Sequence, residues 1–234
     1  MQQSEINVLC TRALPSSLKE EAAAAGITID ELSFIETESI LSVEVQQEIE
    51  LASTELATVV FTSMNAVDAV TIFLDGHRPD WSIYSIGTAT ARLVKAYFGE
   101  ERLTGTASDT ASLAALIAAD RFTDEVIFFC GDQRRDELPD ILRQNDIEVN
   151  EIVVYQTIAT PHKIQKDYFG ILFFSPSAVQ SFFSKNKVTD RTILFAIGNT
   201  TANEIKKYSN NKIIISDEPG KENLVAKMVE YFSP

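Results

Sequence analysis

Small hydroxyl residues and glycines gather where apolar runs of strand length give way to helical patterns. The free N–H groups and the positive dipole end of a helix start, together with such side chains, can bind an anion without any cationic residue. Four turns of this kind supply the candidate binding residues, which are Thr62, Ser63 and Asn65; Gly87, Thr88 and Thr90; Ser175 and Ser177; and Gly198, Thr200 and Thr201.

Each of these turns also has a purely structural explanation. Ser, Thr and Asn are preferred N-caps and glycine is common in tight strand-to-helix turns, so any single turn is better explained as a helix cap. Their number and placement favour a ligand, because open α/β sheets bind ligands outside the carboxyl ends of their strands. If two such surfaces face each other, the site is an interdomain cleft lined by amides and hydroxyls.

Other kinds of catalytic chemistry have little support. Cys10 and Cys130 each lie at the end of an apolar run, where a small buried thiol is the ordinary occupant. His77 and His162 are isolated in polar segments, so neither a zinc site nor a disulfide is expected. The Gly-rich phosphate-binding motifs, the G-x-S-x-G motif and an obvious acid–base dyad are all missing from the sequence. The chain is therefore either an enzyme that works chiefly by positioning its substrate or no enzyme at all.

The composition is that of an acidic globular protein. Its 234 residues include 34 Asp and Glu against 20 Lys and Arg, a formal net charge of −14. This charge argues against nucleic acid as the main partner, because neutralising phosphates needs a basic surface. No apolar run approaches the roughly 18 residues of a membrane helix, and the first residues lack a basic signal segment. We expect no membrane insertion and a cytoplasmic location.

The elements that must position these residues alternate along the chain. Apolar strand-like runs such as "LATVVFTS", "EVIFFCG", "GILFFSP" and "TILFAIG" are followed by helical patterns such as "NAVDAVTIFLDG", "DELPDILRQND", "AVQSFFSKN" and "TTANEIKKYSN". Near-continuous apolar strands are typical of a sheet covered on both faces. The pattern predicts an α/β protein with parallel sheets and right-handed crossovers.

The chain also repeats itself. "VVFTSMNAV" from Val59 aligns with "ILFFSPSAV" from Ile171 at an offset of 112, and Gly87 aligns with Gly198 at an offset of 111. Upstream, Cys10 aligns with Cys130 and Thr37 with Thr157 at an offset of 120. A nearly constant offset over several motifs indicates a tandem duplication of an α/β unit of roughly 115 residues, a usual size for one domain.

Six motifs taken together resemble the uroporphyrinogen-III synthase family across essentially the whole chain. They are "FTSMNAV" (61–67), "IGTATA" (86–91), "VVYQT" (153–157), "FFSPSAVQSF" (173–182), "IGNTTA" (197–202) and "EPGKENLV" (218–225). The resemblance implies two similar doubly wound parallel-sheet domains of the flavodoxin-like kind, joined by a two-stranded linker. It places residues 1–35 and 160–234 in domain 1, residues 39–152 in domain 2, and residues 36–38 and 153–159 in the linker strands.

The same resemblance implies an activity. The family closes the linear tetrapyrrole hydroxymethylbilane into uroporphyrinogen III with loss of water and inversion of ring D through a spiro intermediate, without a metal or organic cofactor. The enzyme must hold one folded geometry of a flexible polyanion and shield a reactive intermediate. We expect this small molecule to be the partner and the protein to be a monomer.

Individual roles come from matching positions. Tyr155 matches the family tyrosine proposed to help protonate the departing hydroxyl group, although an aromatic residue packing the linker explains it equally well. Arg12 follows the first strand and Lys221 opens the last helix, where each could pair with a substrate carboxylate. The alternative for Arg12 is a surface ion pair.

A rival interpretation from another class is a non-catalytic two-domain protein that binds an anionic small molecule. Duplicated α/β domains with a cleft are common among such proteins, and the fold alone does not separate the two.

Overall fold

The computed structural model describes residues 6–120, 123–218 and 220–233. The chain forms two compact units, of which unit 1 comprises Met1–Glu36 and Ile158–Pro234 and unit 2 comprises Thr37–Thr157. Unit 1 is therefore discontinuous in sequence, because the whole of unit 2 lies between its two segments.

Strands and helices alternate along most of the chain. The strands are β1 (Ile6–Cys10), β2 (Ile27–Glu31), β3 (Ile35–Ser39), β4 (Ala57–Phe61), β5 (Trp81–Ile86), β6 (Leu103–Ala107), β7 (Glu125–Gly131), β8 (Glu148–Ala159), β9 (Gly170–Phe173), β10 (Ile193–Ala196) and β11 (Ile213–Ile215). The helices are α1 (Ser16–Ala24), α2 (Val43–Ser53), α3 (Met64–Leu74), α4 (Thr88–Phe98), α5 (Thr110–Ala118), α6 (Glu137–Gln144), α7 (Pro176–Lys185), α8 (Asn199–Ile205) and α9 (Lys221–Phe232). None of the helices within the described ranges is long and apolar enough to cross a membrane.

The described part of unit 1 contains a five-stranded sheet with the order β11-β10-β9-β1-β2. Its neighbouring strands pair in parallel, with Val8 opposite Gly170 and Ile6 opposite Ile27. The N–H of Thr11 and its Oγ1 both donate to the carbonyl of Leu172, at 3.1 and 2.8 Å. These bonds join the two sequence segments of unit 1 at the centre of the sheet.

Unit 2 contributes a sheet with the order β3-β8-β7-β4-β5-β6. The pairings of β4 with β5 and β7, of β5 with β6, and of β7 with β8 are parallel. Strand β8 is the longest strand, with 12 residues, and it continues past the end of unit 2 at Thr157.

Both sheets repeat one strand order, which agrees with the duplication seen in the sequence. The series β2-β1-β9-β10-β11 corresponds strand by strand to β8-β7-β4-β5-β6. In unit 1 this is the flavodoxin-like order 2-1-3-4-5. The prediction of an α/β protein with parallel, doubly wound sheets is thereby confirmed.

Helices cover both faces of each sheet. In unit 2, α2, α3 and α4 pack on one face and α5 and α6 on the other, and alternate residues of β4 enter the two cores. In unit 1, α1 and α9 share one face, and α7 and α8 share the other. The single tryptophan, Trp81, is buried in unit 2, where its Nε1 donates to the carbonyl of Ala52 at 2.9 Å. Burial of each large apolar side chain of this kind contributes about 1.5–3 kcal/mol.

Candidate functional site

Each sheet has one place where the direction of the strand connections reverses. In unit 2 this switch point lies between β4 and β7, and in unit 1 it lies between β1 and β9. Crevices at the carboxyl ends of such strand pairs are the usual ligand sites of open α/β sheets. The residues that follow these four strands are therefore the first to consider.

At the unit 2 switch point, Ser63 follows β4 and caps helix α3. Its Oγ accepts a hydrogen bond from the N–H of Ala66 at 3.2 Å, so the proposed capping role is present in the structure. Thr62 and Asn65 flank this cap and are both half-buried. The N-terminal end of α3, with its free amides, thus lies at the carboxyl end of β4 beside the switch point.

Tyr155 reaches the same place from β8. The Oγ of Ser63 donates to the phenol oxygen of Tyr155 at 3.2 Å, and the half-buried ring lies against the backbone of Gly131, the last residue of β7. The structure therefore brings together two candidates, Ser63 and Tyr155, that are 92 residues apart.

The next turn of unit 2 joins β5 to α4. Gly87 has φ +79° and ψ 152°, a conformation that is essentially restricted to glycine, and its N–H donates to the carbonyl of Ala107 at 2.9 Å. Thr88 is exposed and Thr90 is buried. Gly87 and Thr88 line a groove of about 950 Å³ that also contains Arg92.

Unit 1 repeats the capping arrangement at Ser175. Its Oγ accepts from the N–H of Ala178 at 3.2 Å and from the hydroxyl of Ser177 at 3.4 Å. Ser175 corresponds to Ser63 in the duplication, but the residue that corresponds to Tyr155 is Ile35. The contact between Ser63 and Tyr155 in unit 2 therefore has no equivalent in unit 1, because Ser175 has no tyrosine at the matching position.

The second glycine turn of unit 1 differs from its counterpart in unit 2. Gly198 has an extended backbone, with φ −178° and ψ 177°, and a Cβ added there would meet nothing within 4 Å. Thr200 is exposed and Thr201 is buried in the first turn of α8. The extended backbone of Gly198 does not require glycine, whereas that of Gly87 does.

Two cations approach the carboxyl end of β1. Lys221, the first residue of α9, donates from Nζ to the carbonyl of Ala13 at 2.9 Å, which brings it next to the exposed Arg12. Burial, and after it the neighbouring Arg12 guanidinium, lowers the pKa of Lys221. The corresponding residues of unit 2 are Asp132 and Thr110, so this positive charge belongs to unit 1. A ligand carboxylate would relieve the repulsion between the two cations.

The model of the family described as uroporphyrinogen-III synthase HemD matches residues 16–226. The chain belongs to the uroporphyrinogen-III synthase family. Members of this family are cyclising lyases of haem biosynthesis that act on a small-molecule tetrapyrrole.

Two solved structures share the fold across nearly the whole chain. The uroporphyrinogen-III synthetase of Helicobacter pylori 26695 is 16% identical, with 97% of this chain and 99% of that chain covered and a TM-score of 0.68. A mutant uroporphyrinogen III synthase of the extremely thermophilic bacterium Thermus thermophilus is 15% identical, with 97% of each chain covered and a TM-score of 0.63. Both support the two-domain α/β architecture.

The cysteines and histidines are placed as the sequence predicts. Burial raises the pKa of the Cys10 thiol to about 12 and that of the Cys130 thiol to about 11, so both behave as core residues. His77 and His162 are exposed, and the ring of His162 meets Phe34 edge-on. In the part of the chain that the structure describes, no three His, Cys, Asp or Glu side chains converge as a metal site.

Two residues beside Tyr155 were missed by sequence reasoning. Gly131 supports the tyrosine ring, and Asp132 accepts a hydrogen bond at Oδ1 from the N–H of Thr157 at 2.9 Å. A signal was available, because Asp132 aligns with the candidate Arg12 and both lie just after equivalent strands, one residue past β7 and two residues past β1.

Proposed function

We propose that this chain catalyses the dehydrating cyclisation of hydroxymethylbilane to uroporphyrinogen III. The observation that carries the proposal is the match of the family model over residues 16–226. The two switch points supply candidate residues for this activity. Both units have a capped helix start that can bind an anion, and unit 2 also has the hydroxyl pair of Ser63 and Tyr155.

We assign the protonation of the leaving group to Tyr155. The amide of Ala66 donates to Ser63, and Ser63 in turn donates to the phenol oxygen of Tyr155, so the proton of Tyr155 is free for a substrate oxygen. Ser63 lies at the N-terminal end of α3, where the helix dipole favours negative charge developing on the phenol oxygen. Tyr155 would thus act as a weak general acid held in one orientation.

The proposed steps balance in atoms and charge. The bond between the terminal methylene carbon and its hydroxyl breaks, and the proton of Tyr155 completes a molecule of water. The pyrrole nitrogen keeps its hydrogen and supplies electrons, which forms an azafulvenium cation and leaves Tyr155 as the phenolate. Ring D attacks through its substituted carbon, the spiro intermediate fragments, and the ring recloses in inverted orientation. The cyclised cation then loses a proton from its last pyrrole carbon, and that proton restores the phenol of Tyr155 directly or through water.

Binding of the acetate and propionate groups is assigned to both units. Arg12 and Lys221 would pair with carboxylates at unit 1, where each charged hydrogen bond contributes about 1.5–3 kcal/mol. Uncharged amides and hydroxyls would hold the remaining carboxylates: those of Thr62, Ser63, Asn65, Gly87, Thr88 and Thr90 in unit 2, and those of Ser175, Ser177, Gly198, Thr200 and Thr201 in unit 1. These uncharged donors suit a protein whose net charge is −14.

We further propose that the protein acts as a cytoplasmic monomer, with residues 36–38 and 153–159 as linker strands between domains 1–35 plus 160–234 and 39–152. The proposed activity requires no second copy of the chain.

The decisive assay supplies hydroxymethylbilane generated in situ and separates the products by chromatography. We expect the type III isomer to replace the type I isomer, which forms spontaneously. Tyr155→Phe should lower kcat by about a hundredfold or more, in the range of a lost general acid. Dominance of the type I isomer with the unaltered protein would contradict the proposal and favour a binding protein instead.

A further inference from the structure

The pairing of β7 with β8 changes register next to Tyr155. Cys130 lies opposite Val153, but the next residue, Gly131, lies opposite Tyr155, so Val154 is an extra residue on β8. One inserted residue of this kind is a β-bulge, and bulges turn the side chains that follow them.

The bulge changes the face to which Tyr155 points. Ile152 and Val154 pack into the core between the sheet and α3, and regular alternation would direct the following residue to the opposite face. Tyr155 instead packs against the same core as Val154. That is the face on which Ser63 begins α3, so the bulge makes the contact between the two hydroxyls possible.

Gly131 leaves the space that the ring occupies. A Cβ added at this position would lie 2.6 Å from Cε2 and 2.7 Å from the hydroxyl oxygen of Tyr155. Real Cβ atoms essentially never come so close to another heavy atom, so any side chain at this position must displace the ring. Gly131 is thus required by the close approach of Tyr155.

Asp132 holds residues 155–157 of β8 by hydrogen bonds. Its N–H donates to the carbonyl of Tyr155 at 3.1 Å, and its Oδ1 accepts from the N–H of Thr157 at 2.9 Å. The side-chain Nε2 of Gln133 donates a longer hydrogen bond to the carbonyl of Thr157 at 3.5 Å. The backbone is therefore held both at Tyr155 and two residues beyond it.

We propose that Gly131 and Asp132 are positioning residues that hold the Tyr155 hydroxyl against Ser63. This inference rests on the proposed function for its catalytic meaning, but the placement of the tyrosine can be measured independently. Misplacement of a reacting group by about 1 Å lowers turnover by roughly a hundredfold. A change at either residue should therefore act on kcat through Tyr155.

The variants are Gly131→Ala, which fills the space under the ring, and Asp132→Leu, which removes the acceptor for Thr157. Asp132→Asn keeps an acceptor oxygen and is the conservative rescue. Gly105→Ala is the matched control, because it adds a crowded Cβ to the same sheet away from Tyr155. That Cβ would lie 2.5 Å from Cδ2 of Leu116 and 3.0 Å from Cδ1 of Tyr84, and none of its three nearest atoms belongs to Tyr155.

Placement is read by fluorine NMR of protein labelled with 3-fluorotyrosine. The chain has six tyrosines, and the Tyr155 resonance is the one lost in Tyr155→Phe. We expect this resonance to move in Gly131→Ala and Asp132→Leu and to keep its position in Asp132→Asn and Gly105→Ala. An unchanged resonance in both Gly131→Ala and Asp132→Leu, or an equal shift in Gly105→Ala, overturns the inference.

Turnover is measured on the same variants. We expect kcat to fall about tenfold to a hundredfold in Gly131→Ala and Asp132→Leu, with KM changed less than about threefold. In a Tyr155→Phe background, Asp132→Leu should have little further effect, because no hydroxyl remains to be misplaced. A full additional loss in that background contradicts action through Tyr155. If the unaltered protein forms no type III isomer, the proposed function fails and the NMR result still decides the placement.

Discussion

The two glycine turns at Gly87 and Gly198 look alike in sequence but should respond very differently to alanine. At Gly87 the backbone, with φ +79° and ψ 152°, lies in a region that only glycine populates readily. The hydrogen bond from its N–H to Ala107 fixes that conformation, so the backbone cannot relax without losing the bond. Forcing alanine into such a region costs about 1–3 kcal/mol.

At Gly198 substitution by alanine should stabilise the protein instead of destabilising it. The backbone is extended, a conformation open to any residue, and an added Cβ meets nothing within 4 Å. Alanine at a compatible glycine position stabilises by about 0.4–1 kcal/mol, because it restricts the unfolded chain. The free energies of unfolding of Gly87→Ala and Gly198→Ala, each relative to the unaltered protein, should therefore differ by roughly 1.5–4 kcal/mol.

Urea unfolding can test this difference in each unit. Trp81, the single tryptophan, lies in the core of unit 2, so its fluorescence follows the unit that contains Gly87. With a urea m-value of about 1–3 kcal/mol/M, the midpoint of Gly87→Ala should fall on the order of 1 M. Hydrogen exchange of the β10 amides reports unit 1 for Gly198→Ala. Equal destabilisation by the two substitutions, or a neutral Gly87→Ala, would refute the backbone argument.

Three further predictions concern the thiols, the buried threonine and the cationic pair. The pKa values of Cys10 and Cys130 are raised from 9.0 to about 12 and about 11. The stability that the two buried thiols contribute is therefore complete below pH 9 and is lost as the pH rises through those values. The free energy of unfolding, measured against pH, should decline less steeply between pH 9 and 11 in a Cys10→Ala variant. Thr201→Val, which is nearly isosteric, should reduce turnover more than thermal stability if the hydroxyl contacts substrate, and the reverse pattern would indicate a structural role alone. Lys221→Met should raise KM about tenfold, because a hydrogen bond to a substrate carboxylate is lost. The unfolding free energy should change by less than about 1 kcal/mol, because the substitution also removes the repulsion from Arg12. Steady-state kinetics and urea titration measure the two effects, and an unchanged KM would exclude Lys221 from substrate binding.

The sequence predicted the parallel sheets because their strands are continuous apolar runs. It did not predict α2 or β6. The "LTGTA" run of β6 has only Leu103 and Ala107 as apolar residues, because it is an edge strand with little to bury. Helix α2 buries only Ile49 and Ala52 and leaves Leu51 exposed, so its apolar pattern is weak. Strand β6 is therefore stabilised by pairing with β5, and α2 by packing on the same sheet.

The candidate site was predictable in its residue types more than in its contacts. Helix-start chemistry identified Ser63 and Ser175 as caps, because that bond is local. The contact between Ser63 and Tyr155 depends on a bulge in β8, and a one-residue shift of register has no marker in a run such as "EIVVYQT". The different backbones of Gly87 and Gly198 are likewise set by their surroundings, since the two turns share the same Ile-Gly pair.

The insertion of unit 2 within unit 1 has a consequence for synthesis on the ribosome. Strand β1 is made early, but its partner β9 begins only at Gly170, and Thr11 and Leu172 are 161 residues apart. Unit 2 is one continuous segment, so it can fold before β9 has been synthesised to pair with β1. Until then β1 lacks its partner β9, and α1 lacks the helix α9 that shares its core. Closing so long a loop is slow. The nascent chain is therefore most exposed to aggregation and to chaperones during the interval in which β1 has β2 beside it but not yet β9.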